Sequence, residues 1–188
     1  MGTTNKTKNL VMYSLLTAIV VVLQYLGSFV RFGPFSISLV LIPIVVGAAV
    51  CGKSAGAWLG AVFGAVVLLM DSAAFMAVSV VGTVITVMVK GILAGFCAGV
   101  VYNLLKKFNV YVAVIASAVV CPVVNTGIFL IGCKLFFMSL INSWAAELGF
   151  ASAGEYIIFV LVGGNFVFEL LVNVILSPAI VRLINAKK

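Results

Sequence analysis

Between Leu10 and Leu26 the chain carries no charged residue, and the same pattern returns along its whole length. A helix rises about 1.5 Å per residue, so about 20 apolar residues cross the ~30 Å hydrocarbon core of a membrane. Six runs reach or approach that requirement: about Asn9 to Phe29, Ile37 to Cys51, Ala55 to Met70, Ala77 to Leu105, Val110 to Phe137 and Tyr156 to Ile184. The second is short and contains Pro43, so a kinked or tilted helix is expected there. Arg31, Gly33 and Pro34 predict a turn. Cys51-Gly52-Lys53-Ser54, Asp71-Ser72, Lys106-Lys107 and the polar stretch Asn142 to Glu155 mark the other breaks. The expectation is an all-α integral membrane bundle of about six transmembrane helices, forming a single domain over residues 1–188 with no soluble part.

Charge supports this and orients it. Only 8% of residues are charged, against roughly a quarter in a soluble domain, so most of the surface must face lipid. The net charge of +7 does not indicate nucleic-acid binding, because the bases sit at the ends of apolar runs instead of on one face. With six crossings, Lys6, Lys8, Lys53, Lys106, Lys107, Arg182, Lys187 and Lys188 share one side. Arg31, Asp71, Glu147 and Glu155 share the other. Bases collect on the cytoplasmic face, so both termini are expected in the cytoplasm, with the chain in the cell membrane. Lys6 and Lys8 precede the first run as in a signal peptide. That run is long and no small-x-small cleavage site follows it, so a retained helix is expected.

Several chemistries are excluded. There is no histidine, and Cys51, Cys97, Cys121 and Cys133 lack metal-ligand spacing, so no metal or other cofactor is expected. No nucleophile–base pair suggests an enzyme, and Cys51-Gly52-Lys53-Ser54 lacks the upstream glycine of a phosphate-binding loop. Energy for any transport must come from partners or a gradient.

Two features describe packing. Gly52, Gly56, Gly60 and Gly64 recur every fourth residue, and Gly91, Gly95 and Gly99 repeat the pattern. Such ridges let helices approach closely where lipid removes the hydrophobic drive. Ser14 and Ala18 form a weaker small-x-x-x-small pair.

Polar groups at bilayer depth carry the functional signal. A charge at the bilayer centre costs about 2.5–3.5 kcal/mol on insertion scales, so it is kept for a cavity or an internal partner. Lys90 lies mid-run, either paired with Glu169 or offered to an anionic or polar ligand. Asn165, Glu169 and Asn173 recur every fourth residue on one helical face, as a binding wall or a helix–helix hydrogen-bonding strip. Pro122, Asn125, Thr126 and Gly127 place a possible kink beside polar groups, as in many substrate cavities. Lys134 lies near a helix end, from which it can snorkel to the interface. Phe29, Phe32 and Phe35 around Arg31 suit interfacial anchors or a lid.

Taken together, the chain resembles the substrate-binding S-components of energy-coupling factor (ECF) transporters over essentially its full length. The resemblance rests on the size, the six helices with termini inside, and the basic glycine turn between the second and third. The stretches that carry it are Phe32-Gly33-Pro34-Phe35-Ser36-Ile37-Ser38, Leu41-Ile42-Pro43-Ile44, Cys51-Gly52-Lys53-Ser54-Ala55-Gly56-Ala57 and Lys90-Gly91-Ile92-Leu93-Ala94-Gly95. It implies high-affinity capture of a water-soluble vitamin from outside, and delivery with a membrane T-component and two cytoplasmic ATPases. It implies docking through small residues of the first helix, here Ser14 and Ala18, with serine where the family usually has alanine. It also implies an outward cavity to which Arg31, Lys90, Asn125, Asn165 and Glu169 belong. The loop before the second helix looks most like the pantothenate-type subgroup, and a lysine suits a carboxylate ligand. Two competing readings remain: a self-sufficient secondary transporter or channel for a small solute, and a structural membrane subunit without a ligand.

Overall fold

A computed structural model describes the backbone of residues 2–29, 31–32, 35–36 and 39–186, and the side chains of residues 10–29 and 39–182. The elements in order are α1 (Gly2–Gly27), β1 (Arg31–Phe32), β2 (Phe35–Ser36), α2 (Leu41–Cys51), α3 (Lys53–Met70), α4 (Ala73–Val78), α5 (Val80–Leu105), α6 (Val110–Phe136), α7 (Met138–Glu147), α8 (Ala153–Tyr156), a π-helical segment (Ile157–Phe166) and α9 (Val167–Ala186). Five spans among the described residues are long and apolar enough to cross a membrane: Leu10–Gly27, Lys53–Met70, Val80–Leu105, Val110–Phe136 and Ala153–Arg182. The chain is a multi-pass helical membrane bundle.

The second run departs from expectation. The 11 residues of α2 rise only about 16 Å, roughly half the hydrocarbon thickness. Leu41, Pro43, Ile44, Val45, Val46, Gly47 and Ala48 are all buried, so α2 is wrapped by protein. Pro43 does not kink it, because it stands in the first turn, where a missing N–H breaks no helical bond.

Three further boundaries were not anticipated. Ser79 takes an extended backbone, and its Oγ accepts from Gly82 N at 3.1 Å, so α5 starts there and α4 stands apart. The polar stretch after α6 holds α7, which turns Ile141 and Ala145 inward. The sixth run opens as a π-helical segment before continuing as α9. Such wide turns concentrate at functional sites.

Close helix contact sets the frame. A methyl group on Gly60 would overlap the Gly91 carbonyl oxygen, and one on Gly56 would overlap that of Gly95. Gly64 meets Met88 and Gly99 meets Lys53, so α3 and α5 pack antiparallel along the expected ridges. Gly52 is outside the ridge. Its φ of +98° makes the sharp turn between α2 and α3, a conformation side chains disfavour.

α1 runs parallel to α3: Trp58 Nε1 donates to Thr17 Oγ1 at 3.2 Å, and Gln24 Nε2 donates to Asp71 Oδ2 at 3.0 Å. α5 and α6 are antiparallel, joined where Ser117 Oγ donates to Ala98 O at 3.0 Å. Ile180 and Val181 of α9 pack in one core with Val114 and Cys121 of α6. α1 therefore begins, and α9 ends, at the end of the bundle that carries Lys53, Lys106 and Lys107. The four cysteines are free thiols, with Cys121 and Cys133 buried.

Candidate functional site

A cavity of about 70 Å³ opens at the end of the bundle away from Lys53, between α3, α5, α6 and the last long helix. Lys90, Asn125, Asn165 and Glu169 all line it. Each comes from a different place. Lys90 is on α5, Asn125 follows Pro122 on α6, Asn165 is in the π-helical segment, and Glu169 is in the first turn of α9.

Lys90 is half-buried, with its Nζ 4.9 Å from the Phe129 ring centroid and 5.5 Å from that of Phe63. An ammonium over aromatic faces is held electrostatically while its N–H donors remain usable. Glu169 and Asp71 supply the nearby negative charges. The wall thus carries one cation and two carboxylates.

The asparagines are incompletely satisfied. Asn165 Nδ2 donates to Glu169 Oε1 at 3.4 Å, a long contact. Asn125 is only 4% exposed. Asn125 Oδ1 and Asn165 Oδ1 have no hydrogen-bond partner among the described residues. A buried acceptor left unpaired costs about 1–3 kcal/mol, so two on one cavity wall call for a ligand or solvent to bond them.

Asn173 Oδ1 is likewise without a hydrogen-bond partner among the described residues, but Asn173 does not line the cavity. It is 1% exposed and donates through Nδ2 to the Glu169 backbone oxygen at 2.8 Å, inside the helix instead of on the cavity wall. Asn173 stands one turn, about 6 Å, further along α9 than Glu169, beyond the cavity, so the expected three-residue wall ends at Glu169.

Arg31 is the remaining expected cavity residue. Its side chain lies outside the described residues. Its backbone pairs with Ser36 in a two-residue hairpin, and β1 lies against the π-helical segment. Ser14 and Ala18 are elsewhere, exposed on the flank of α1. Ser14 Oγ donates to Leu10 O at 3.1 Å, so the hydroxyl is spent within its own helix. Lys134 is exposed near the end of α6.

Several cavity residues were missed. Thr83, Thr86 and Lys90 line it together at spacing i, i+3, i+7, a polar stripe the sequence displays as plainly as the asparagines. Asp71 and Ser72, read as an outer-loop break, also line it. Phe75 of α4 closes one side, edge-on to Phe137 at 5.0 Å and to Phe129 at 5.7 Å. An aromatic wall of this kind suits the apolar body of a ligand.

No curated protein sequence matches the chain. The family profile described as "ECF transporter, substrate-specific component" matches residues 8–184, nearly the whole chain. Proteins of this family bind a substrate and work with a T-component and ATPases, as transporter subunits and not enzymes. A helical membrane bundle with a polar hollow at one end, matched by that profile from end to end, belongs to the substrate-specific S-components of ECF transporters.

Proposed function

We propose that this chain captures a water-soluble vitamin in the cavity beside Lys90, with pantothenate the first candidate, and passes it to a T-component and two ATPases. The cavity end faces outward and both termini are cytoplasmic. Eight bases against one support that orientation: of the eleven Lys and Arg, Lys90 and Lys134 lie within spans and Arg31 lies opposite. Ser14 and Ala18 on the exposed flank of α1 form the docking face.

One observation carries the reading. Four polar residues from three separate stretches of an apolar chain meet in one hollow, and two of them present unpaired amide oxygens. Pantothenate suits such a wall. Its carboxylate pairs with Lys90, while its hydroxyls and amide N–H donate to Asp71, Glu169 or the asparagine oxygens. A hollow of about 70 Å³ holds several waters but not a whole vitamin, so binding requires the walls to part. The π-helical segment, which contributes Leu161 and Asn165 to the wall, is the element placed to do this.

The test is to purify the protein from cells grown in rich medium and identify any co-purifying small molecule by mass spectrometry. Tight binding of a vitamin by the protein alone, without ATP hydrolysis, is expected. Failure to bind any water-soluble vitamin would sink the proposal. Ion-coupled flux into vesicles holding only this chain would favour a self-sufficient transporter instead.

A further inference from the structure

Gln24 has no place in the site described above, yet it is the most buried polar side chain of α1 among the described residues. It is 1% exposed and continues the buried stripe of Leu16 and Val20. Its Nε2 donates to Asp71 Oδ2 at 3.0 Å, and Asp71 lines the cavity. Its Oε1 has no partner among the described residues. The hydrogen bond therefore joins a cavity-wall residue to α1, which contributes no residue to the cavity lining itself.

That helix is lightly held. Only 22% of the α1 span is buried and 17% of the last span, against 39% for each of α3, α5 and α6, so α1 is one of the two less enclosed spans. In lipid, where apolar contact between helices gains little over contact with acyl chains, an interhelical hydrogen bond helps to fix where such a helix sits.

We propose that Asp71 is a ligand-contacting carboxylate and Gln24 its positioning residue, so that the Gln24–Asp71 hydrogen bond reports cavity occupancy to α1. This rests on the cavity being the capture site. The chemistry is reorientation of one carboxylate, which offers about four acceptor sites, of which the Gln24 amide holds one on Oδ2. An ionised carboxylate only accepts, and a hydroxyl, amide N–H or ammonium of the ligand draws on the same oxygens as the Gln24 amide. As Asp71 turns to the ligand, Gln24 loses or re-aims its bond and α1 reseats against α3. Ser14 and Ala18 move with α1, so the docking face differs between empty and loaded protein.

The α1–α3 contact contains its own reporter. Trp58, donating to Thr17 across that interface, is one of two tryptophans, and Trp144→Phe leaves it the only one. In this background, placed in lipid nanodiscs, a panel of water-soluble vitamins including pantothenate is titrated by calorimetry and by Trp58 emission. The vitamin that binds is expected to change the emission with a midpoint matching the calorimetric Kd. Gln24→Ala, or the volume-matched Gln24→Met if that variant does not fold, keeps affinity within about threefold but abolishes the emission change. Asp71→Asn retains a side-chain oxygen for Gln24. It weakens binding roughly 10- to 100-fold, as loss of a charge-assisted hydrogen bond does, yet keeps the emission change at saturation. An unaltered emission change in the Gln24 variants, or unaltered affinity in Asp71→Asn, overturns the inference and leaves the capture reading standing. Absence of vitamin binding by the parent overturns both.

Discussion

The Lys90 ammonium lies over the Phe129 ring at 4.9 Å from its centroid, so the cation in this cavity is positioned by an aromatic face. Such contacts are worth about 0.5–2 kcal/mol and leave the N–H donors directed past the ring. Lys90 can therefore stay at bilayer depth without a ligand and still meet one. Phe129→Leu is expected to leave the fold intact while weakening ligand binding several-fold, because the ammonium loses its seat. Calorimetry on the purified protein checks this, and unchanged affinity would detach Phe129 from the function of Lys90.

Lys90→Ala removes the donor itself. If a ligand carboxylate is bound there, the lost charge-assisted bond amounts to about 1.5–3 kcal/mol, or roughly a 10- to 100-fold rise in Kd. Thermal stability in detergent should fall only modestly, since the ring contacts, about 0.5–2 kcal/mol, and the counter-charge to Glu169 and Asp71 are lost while an intramembrane charge is removed. A large drop in stability with unaltered affinity would identify Lys90 as a structural residue.

Asn125→Ala and Asn165→Ala test the unpaired oxygens. Asn125→Ala deletes an acceptor that no described residue bonds, so the empty protein should be no less stable, whereas Asn165→Ala also removes the long bond to Glu169 Oε1 and should cost up to about 1 kcal/mol. Ligand affinity should fall about 3- to 15-fold for each, the range of one neutral hydrogen bond. Equal affinity in both variants would exclude these oxygens from the site.

The difference between what the sequence revealed and what it concealed follows from the solvent. Inside an apolar run, Lys90, Asn125, Asn165 and Glu169 stand out, because lipid cannot solvate them and each must face something polar. Asp71 sends no such signal. At the end of a run a carboxylate reads equally well as a water-facing loop charge, and only the fold of α4 over it shows that it borders the cavity. Gln24 was hidden for a related reason: a single uncharged polar residue among many apolar ones has no periodic partner to mark its face. The π-helical segment could not be read from Gly163 and Gly164, since glycines in a membrane helix more often mark close packing. Arg31 reads from the sequence as part of a turn, where its backbone pairs with Ser36, and such a two-residue strand pair does not dictate where its side chain goes.

The glycine ridge makes a paired prediction about stability. A methyl group on Gly60 meets the Gly91 carbonyl, which is backbone and cannot yield without separating α3 from α5. Gly60→Ala is thus expected to destabilise by about 1–3 kcal/mol, as overpacking does, and Gly60→Leu by more. Gly127, on α6, has nothing within 4 Å of the same methyl position. Gly127→Ala should be neutral, or stabilising by up to about 1 kcal/mol through helix propensity. Thermal unfolding of the two variants side by side distinguishes close packing from the general abundance of glycine in membrane helices.

Docking makes the last prediction, and it separates binding from transport. Ser14 and Ala18 are exposed on α1 while Lys90, Asn125, Asn165 and Glu169 line the cavity, so substitutions at the two places should fail differently. Ser14→Ala removes a hydroxyl that bonds only Leu10 O and restores the small residue usual in the family, so uptake should be retained or improved. Ser14→Leu and Ala18→Leu fill the shallow surface a partner helix would enter, and close helix contact in lipid tolerates no such bulk. Cells carrying either leucine variant should lose vitamin uptake, while the purified protein binds its ligand with unchanged affinity. Uptake at the parent rate in both leucine variants would move the docking face away from this flank of α1. A parallel loss of affinity would instead show that the flank and the cavity are one structural unit.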